Sequence, residues 1–212
     1  MPLIFYLSCV LKNNDLHMNN YHPILSLVFL VSMVSCKDSN NKKDDSVLGT
    51  ETFHTVSIDG NYSLDIPKFM TGTTGLNEEA SLQFQSLLKE AYLLVIDEPK
   101  AGFEKVYRDL NQYDDELSVI QNYRDARLRI LSRTSKINHK TKPESIKING
   151  LDAEIMDLDA NIEGVTDEIF YFLTFVEGDE RVYMIMTWTL KDKKAEHKKT
   201  FKSIAESFKL VP

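Results

Sequence analysis

From Thr52 onward the spacing of apolar residues changes period three times, and the changes divide the chain into strands, two helices, more strands and a closing helix. Thr52-Phe-His-Thr-Val-Ser-Ile58 and Tyr62-Ser-Leu-Asp-Ile66 alternate apolar with polar residues, the period of a half-buried strand. Asp59-Gly60 between them is a two-residue hairpin signal, and Pro67, which cannot donate to a ladder, closes the second strand. Thr71 to Asn77 is a loop by composition. Ala80 to Gln85 alternates again, Lys89-Glu90 marks a turn, and Tyr92-Leu-Leu-Val-Ile96 is the continuous apolar run of a buried central strand.

Helical spacing then takes over. Phe103, Val106, Tyr107 and Leu110 recur at i, i+3, i+4 and i+7, one stripe of a helix. Asp114 is the candidate cap of a second helix carrying Leu117, Ile120, Leu128 and Leu131, with Arg124, Arg127 and Arg133 on its polar side. Strands return at Ser145–Ile148, followed by Asn149-Gly150, the strongest hairpin signal in the chain, and Leu151–Ile162. Within that last segment the apolar set moves from odd positions (Leu151, Ala153, Ile155) to even ones (Leu158, Ala160, Ile162), which predicts a β-bulge near Met156. Ile169–Val176 and Val182–Leu190 are long strands. The final helix starts at Asp192 and carries Phe201, Ile204, Ala205 and Phe208 as its stripe. Hairpin connections make the sheet antiparallel, so the fold class is α+β, an antiparallel β-sheet covered by helices.

Residues before Thr52 have a different character. Ile24 to Val34 is an apolar run of signal-peptide length, too short to span a bilayer. Met33-Val34-Ser35-Cys36 resembles the lipobox of bacterial lipoproteins, although leucine usually stands where Met33 does. The resemblance implies cleavage before Cys36, diacylation of its thiol, and stable anchoring by more than one acyl chain. Residues 1–35 are thus expected to be a signal peptide, and residues 36–51 a lipidated cysteine with a polar tether. Lys37 to Ser46 has no hydrophobic side chain. Tyr6-Leu7-Ser8-Cys9 is a fainter lipobox that leaves no charged region before it, and Met18 is an alternative start. Lys37, rather than an aspartate, follows Cys36, which by resemblance to enteric lipoproteins favours the outer membrane.

The formal net charge of −7 argues against nucleic acid as a partner, since that needs a basic footprint. Cys9 and Cys36 are the only cysteines, so residues 52–212 form a domain without disulfide, thiolate nucleophile or cysteine metal site. The domain's three histidines, His54, His139 and His197, have no ligand spacing, and His197 falls on the final helix stripe, where packing explains it. No G-x-S-x-G elbow, H-E-x-x-H or P-loop is present; Gly72-Thr-Thr-Gly75 lacks the lysine of a phosphate loop. No catalytic residue and no cofactor is expected.

Asp157, Asp159, Asn161 and Glu163 fall at positions 1, 3, 5 and 7 of an EF-hand loop, with Glu168 at 12. They are the candidate calcium ligands. Ile162 occupies the position that needs glycine, and the flanks read as strands, so a solvated strand face is the simpler explanation. Basic residues cluster from Arg124 to Lys147 and again along the final helix. Arg124, Arg127 and Arg133 are therefore candidates for an anionic-partner patch, against the plainer reading of a solvated helix face. Trp188 lies on a predicted buried strand and reads as core.

Tyr62-Ser-Leu-Asp-Ile-Pro67, the pair Ser81–Gln85 and Tyr92–Asp97, Ile148-Asn-Gly-Leu151 and Phe201-Lys-Ser-Ile-Ala-Glu-Ser-Phe208 together resemble the PsbP-like superfamily. That group includes the extrinsic oxygen-evolving protein of photosystem II, Ran-binding factors and bacterial lipoproteins. The resemblance spans Phe53 to Leu210 and implies an antiparallel sheet sandwiched by helices. It carries no functional residue. The resulting expectation is a lipid-anchored, non-enzymatic binding or accessory module for a protein partner of the bacterial envelope. A carrier or sensor of a small ligand or calcium is the alternative, and an envelope hydrolase the third reading.

Overall fold

The computed structural model describes residues 51–58 and 60–211. A small sheet joins β1 (Phe53–Ile58), β2 (Tyr62–Pro67) and β11 (Lys209–Leu210) in the order β1-β2-β11. The large sheet runs β3 (Thr71–Gly72), β4 (Leu82–Ser86), β5 (Ala91–Pro99), β10 (Arg181–Leu190), β9 (Ile169–Glu177), β8 (Leu151–Ile162) and β6 (Ser135–Lys140). The short β7 (Glu144–Ile148) also pairs with β8, and every pairing is antiparallel. Helices α1 (Lys100–Asp109) and α2 (Val119–Ser132) cover one face of the large sheet; α3 (Lys194–Glu206), led in by a 3₁₀ turn, and the small sheet cover the other.

A sheet buried on both faces must be apolar at consecutive positions, and β5, β9 and β10 are. Tyr92, Leu94, Ile96, Tyr171, Leu173, Phe175, Met184, Met186 and Trp188 join Phe103, Ile120 and Tyr123 in the first core layer. Leu93, Val95, Phe170, Phe172 and Ile185 join Tyr62, Leu64, Ile66, Phe201, Ile204 and Phe208 in the second. The closing helix stripe is buried as its spacing predicts, and His197 packs with it, 1% exposed and stacked on Phe201 at 5.7 Å.

Four local expectations need correction. The β1–β2 connection spans residues 59–61, since Ile58 pairs with Tyr62; Gly60 has φ +64°, and Asp59 lies outside the described residues. The cap of α2 is Ser118, whose hydroxyl accepts from the Gln121 N–H while the Gln121 side chain accepts from the Ser118 N–H. Asp114 instead closes its own turn on the Glu116 N–H. In α1 the stripe is only half used: Phe103 is buried, but Val106 and Leu110 are 52% and 56% exposed.

The fourth correction concerns β8. Its register with β9 is unbroken from Asp152 to Ala160, so no bulge stands near Met156. The apolar set changes parity because the covering elements change. Ala153 and its same-face neighbours Leu151 and Ile155 pack in the α3 layer, whereas Met156, Leu158, Ala160 and Ile162 pack in the α2 layer. The irregularity in this region belongs to β6, where the register with β8 slips between Ile137 and His139.

Candidate functional site

A pocket opens between α2 and the large sheet. Its cavity is about 460 Å³. Leu94, Ile96, Met184 and Met186 form the floor, Leu131 and Ile130 a wall, and Asn77, Glu78, Glu79, Arg127 and Thr134 the rim. The floor follows from register: Leu94 is paired with Met186 and Ile96 with Met184, so four apolar side chains meet on one face. The rim loop is clamped by Gln83, whose side-chain oxygen accepts from the N–H groups of Leu76 (2.7 Å) and Asn77 (3.0 Å) while its amide donates to the Asn77 carbonyl (2.8 Å).

Arg127 is the pocket's cation, and it is already engaged. Its guanidinium donates to Glu98 at 2.5 Å and to the Tyr123 hydroxyl at 3.2 Å, and lies 3.7 Å from the exposed Glu79 carboxylate. Burial works against its charge, but Tyr123 and Glu98 outweigh that and hold its pKa above the ordinary arginine value. Arg124 is similarly committed, bonded to the buried Glu154 at 2.5 Å and to Asp125 at 2.8 Å. Arg133 is exposed at the end of α2. The three arginines thus do not form one solvated face: two reach into the protein and the third points away from it.

Along the same sheet face, Tyr92 and Tyr171 flank Trp188 in direct cross-strand pairs, with ring centroids at 5.3 and 6.3 Å. The two hydroxyls and the indole N–H are buried without a protein hydrogen-bond partner. Burial, with the Glu90 charge adding to it, pushes the Tyr92 hydroxyl up to about 12, and burial alone raises Tyr171. Trp188 is core, as expected from its strand, and sits two residues beyond Met186 on the same face, next to the pocket floor.

The candidate calcium ligands lie on the opposite face. Asp157 and Asp159 are each 5% exposed, not solvated. Asp157 meets Lys198 at 2.6 Å and Lys194 at 3.1 Å, both from α3. Asp159 meets Lys191 at 3.4 Å, and Lys191 also bridges to Glu168 at 2.7 Å. The Asn161 side-chain oxygen accepts from the Asn138 amide at 2.6 Å, and Glu163 is exposed. The lysines of the closing helix occupy the carboxylates a cation would need, and no group of three or more His, Cys, Asp or Glu among the described residues stands in metal-holding geometry. Sequence reasoning singled out both the acids and the lysines without pairing them. Cys36 lies outside the described residues.

No helix among the described residues is long and apolar enough to cross a membrane. No family model matches the chain, and no curated protein does. Solved structures do. LpqN of Mycobacterium tuberculosis, involved in cell envelope biogenesis, aligns over 77% of this chain and 92% of its own at 11% identity and TM-score 0.50. Cyanobacterial PsbP from Synechocystis aligns over 78% and 96% at 12% identity and TM-score 0.49, and the Saccharomyces cerevisiae Ran-binding protein Mog1p over 76% and 97% at 10% and 0.46. At such identities the likeness is one of architecture. The chain shares the fold of LpqN, an antiparallel sheet between helices, which is the architecture that the resemblance to the PsbP-like superfamily implied.

Proposed function

We propose that the chain is a lipid-anchored, non-enzymatic binding module of the bacterial envelope that takes a small, mainly apolar ligand between α2 and the sheet. The observation that carries the ligand is the pocket itself. Its 460 Å³ falls within the range of small-molecule sites, and its walls are apolar with a few polar groups at the rim. Met184 and Met186 supply unbranched, polarisable side chains that conform to different shapes. Arg127 is neutralised by Glu98, so the pocket favours a neutral or weakly polar guest over an anion.

The anchor rests on Cys36, Ser35 before it and the polar tether behind it. LpqN shares the fold and is involved in cell envelope biogenesis, but the envelope assignment of this chain is argued from its own N-terminal sequence. The outer membrane is the proposed destination because Lys37 stands where a retention aspartate would. A non-enzymatic role fits a pocket whose one cation, Arg127, is held in an ion pair with Glu98.

Trp188 is the sole tryptophan and lies next to the pocket floor, so its emission reports occupancy. Titrating the membrane-extracted protein with a medium-chain alcohol or a naphthalene probe is expected to change that emission and raise the melting temperature. Saturation a hundredfold above Kd adds about 2.7 kcal/mol. Ile130→Phe at the half-exposed mouth is expected to weaken both responses. Unchanged emission and melting across such probes would refute the pocket reading. Intact mass of the same preparation tests the anchor: it is expected to begin at residue 36 with acyl chains attached, and Cys36→Ser to lose them.

A further inference from the structure

The turn between β4 and β5 is Leu87-Leu88-Lys89-Glu90, and it breaks the chemistry of turns. Gly, Asn, Asp, Ser and Pro serve such positions because they supply the backbone angles and face water cheaply. Here Leu88 is 93% exposed and Leu87 47%, and the left-handed φ of +51° falls on Glu90. Neither leucine is needed by the hairpin, so their place is explained by something outside it.

The tip is held in position. The Lys89 carbonyl lies 3.0 Å from the buried His197 Nε2 of α3, the Lys193 ammonium meets Glu90 at 2.5 Å, and the Lys89 ammonium sits 4.3 Å from the centre of the Phe69 ring. The two leucines are therefore presented by a braced turn.

What the tip faces is indicated by where the preceding chain joins the domain. Three residues along α3 from His197, on the same side of the helix, the Thr200 hydroxyl hydrogen-bonds the Glu51 carboxylate. The polar stretch that follows Cys36 in sequence therefore joins the domain at Glu51, on the side of α3 that also braces the leucine tip. Fourteen residues lie between Cys36 and Glu51. Even fully extended at about 3.5 Å per residue, so short a connection keeps this end of the domain within roughly 50 Å of acyl chains on Cys36.

We propose that Leu87 and Leu88 are a membrane-contacting tip that inserts into the lipid surface in which the Cys36 acyl chains are embedded. The proposal rests on the anchored reading above. Two leucines hold a protein on a bilayer only weakly by themselves; the anchor supplies the effective concentration, and the tip sets orientation. The domain then stands with the β4–β5 turn down and the β9–β10 turn, at the other end of the same strands, facing away.

The test uses the full chain, extracted from membranes and reconstituted into phosphatidylethanolamine–phosphatidylglycerol vesicles. A nitrobenzoxadiazole probe is attached at Leu88→Cys or, as the far-end control, at the exposed Asp179→Cys. Acyl mass, vesicle flotation and quenching by spin-labelled lipid are read together. The expected result is a blue-shifted, lipid-quenched probe at position 88 and an aqueous one at 179, and a Leu87→Ser, Leu88→Ser variant that floats undiminished. Protein that floats with acyl mass while both probes stay aqueous overturns the tip and spares the anchor. A chain without acyl mass that fails to float overturns the anchor, and the tip with it. Protection at position 88 in native envelopes but not in lipid vesicles assigns the tip to a protein partner and overturns the lipid assignment.

Discussion

Asp157 and its lysines offer the sharpest test of how this fold is held, because removing one side of the arrangement should cost far more than removing the other. The Asp157 side chain is 7% exposed, and one of its oxygens receives Lys198 at 2.6 Å and Lys194 at 3.1 Å. Those lysine side chains keep 48% and 31% of their surface in water. Asp157→Asn retains the volume and frees two ammoniums that turn outward to solvent, so it costs about 1–2 kcal/mol, the worth of the lost charge-assisted bonds. Lys194→Ala with Lys198→Ala does the reverse. Alanine suits a helix at least as well as lysine, so α3 itself is not weakened. The carboxylate is left buried in the sheet with no cation, a loss of about 3–5 kcal/mol. At roughly 2–4 °C per kcal/mol for a domain of this size, the double lysine variant should melt about 6–20 °C lower and the asparagine variant about 2–8 °C lower. Urea unfolding with an unchanged m-value is the assay. An asparagine variant as unstable as the double lysine variant, or a double variant within about 1 kcal/mol of wild type, would refute the asymmetry.

Other consequences follow from the same structure. Calcium in excess should leave the wild-type melting temperature unchanged, since Lys191, Lys194 and Lys198 occupy Asp157 and Asp159; a rise measured by calorimetry would reinstate the cation site. Asn149 makes the β7–β8 turn at φ +49° and also donates to the Phe208 carbonyl at 2.7 Å and the Glu206 carbonyl at 3.2 Å. Asn149→Gly keeps the turn but loses both bonds, so chemical denaturation should show a loss of about 1–2 kcal/mol. Burial pushes the Tyr92 and Tyr183 hydroxyls from 10.0 up to about 12. Between those values the unfolded chain has lost protons that the folded chain keeps, so stability should fall as pH rises from 10 to 12, by about 1.4 kcal/mol per pH unit for each tyrosine. Urea midpoints across that range, with tyrosinate absorbance alongside, check it.

Much of the fold was legible because strands and helices repeat locally. Ser145–Ile148, the Asn149-Gly150 turn, the two long strands and the Phe201–Phe208 stripe all stand where their spacing puts them. What escaped was set by neighbours distant in sequence. The parity change in Leu151–Ile162 looked like a bulge because a single strand cannot announce that one half is covered by α3 and the other by α2. β6, whose Lys136, His139 and Lys140 are exposed at the sheet edge, lacks a strong apolar alternation and went unread. The cap of α2 was readable: Ser118 and Gln121 have capping-box spacing, but Asp114 drew attention by its charge. The pocket left no linear signal, since its floor is a cross-strand register and its rim a loop clamped by Gln83.

The charge pattern misled for a related reason, and it shows where function should be sought. Read along the chain, basic runs on an acidic protein suggest a surface for an anionic partner. In three dimensions, arginines of α2 meet Glu154 and Glu98, and lysines around α3 meet Asp157, Asp159 and Glu90, so much of that basic charge is spent internally, riveting helices to the sheet. A buried pair of this kind contributes little net stability but is costly to break singly, which favours one helix placement over its alternatives. Two apolar features also stand without an internal partner: a methionine-floored pocket and a two-leucine turn. They are also the features that local packing fails to explain. Recognition by this domain should therefore depend on apolar contact far more than on charge, and its ligand binding should be nearly insensitive to ionic strength. A steep salt dependence of the Trp188 response would mean that the arginine pairs open on binding and that the pocket reading has its physics reversed.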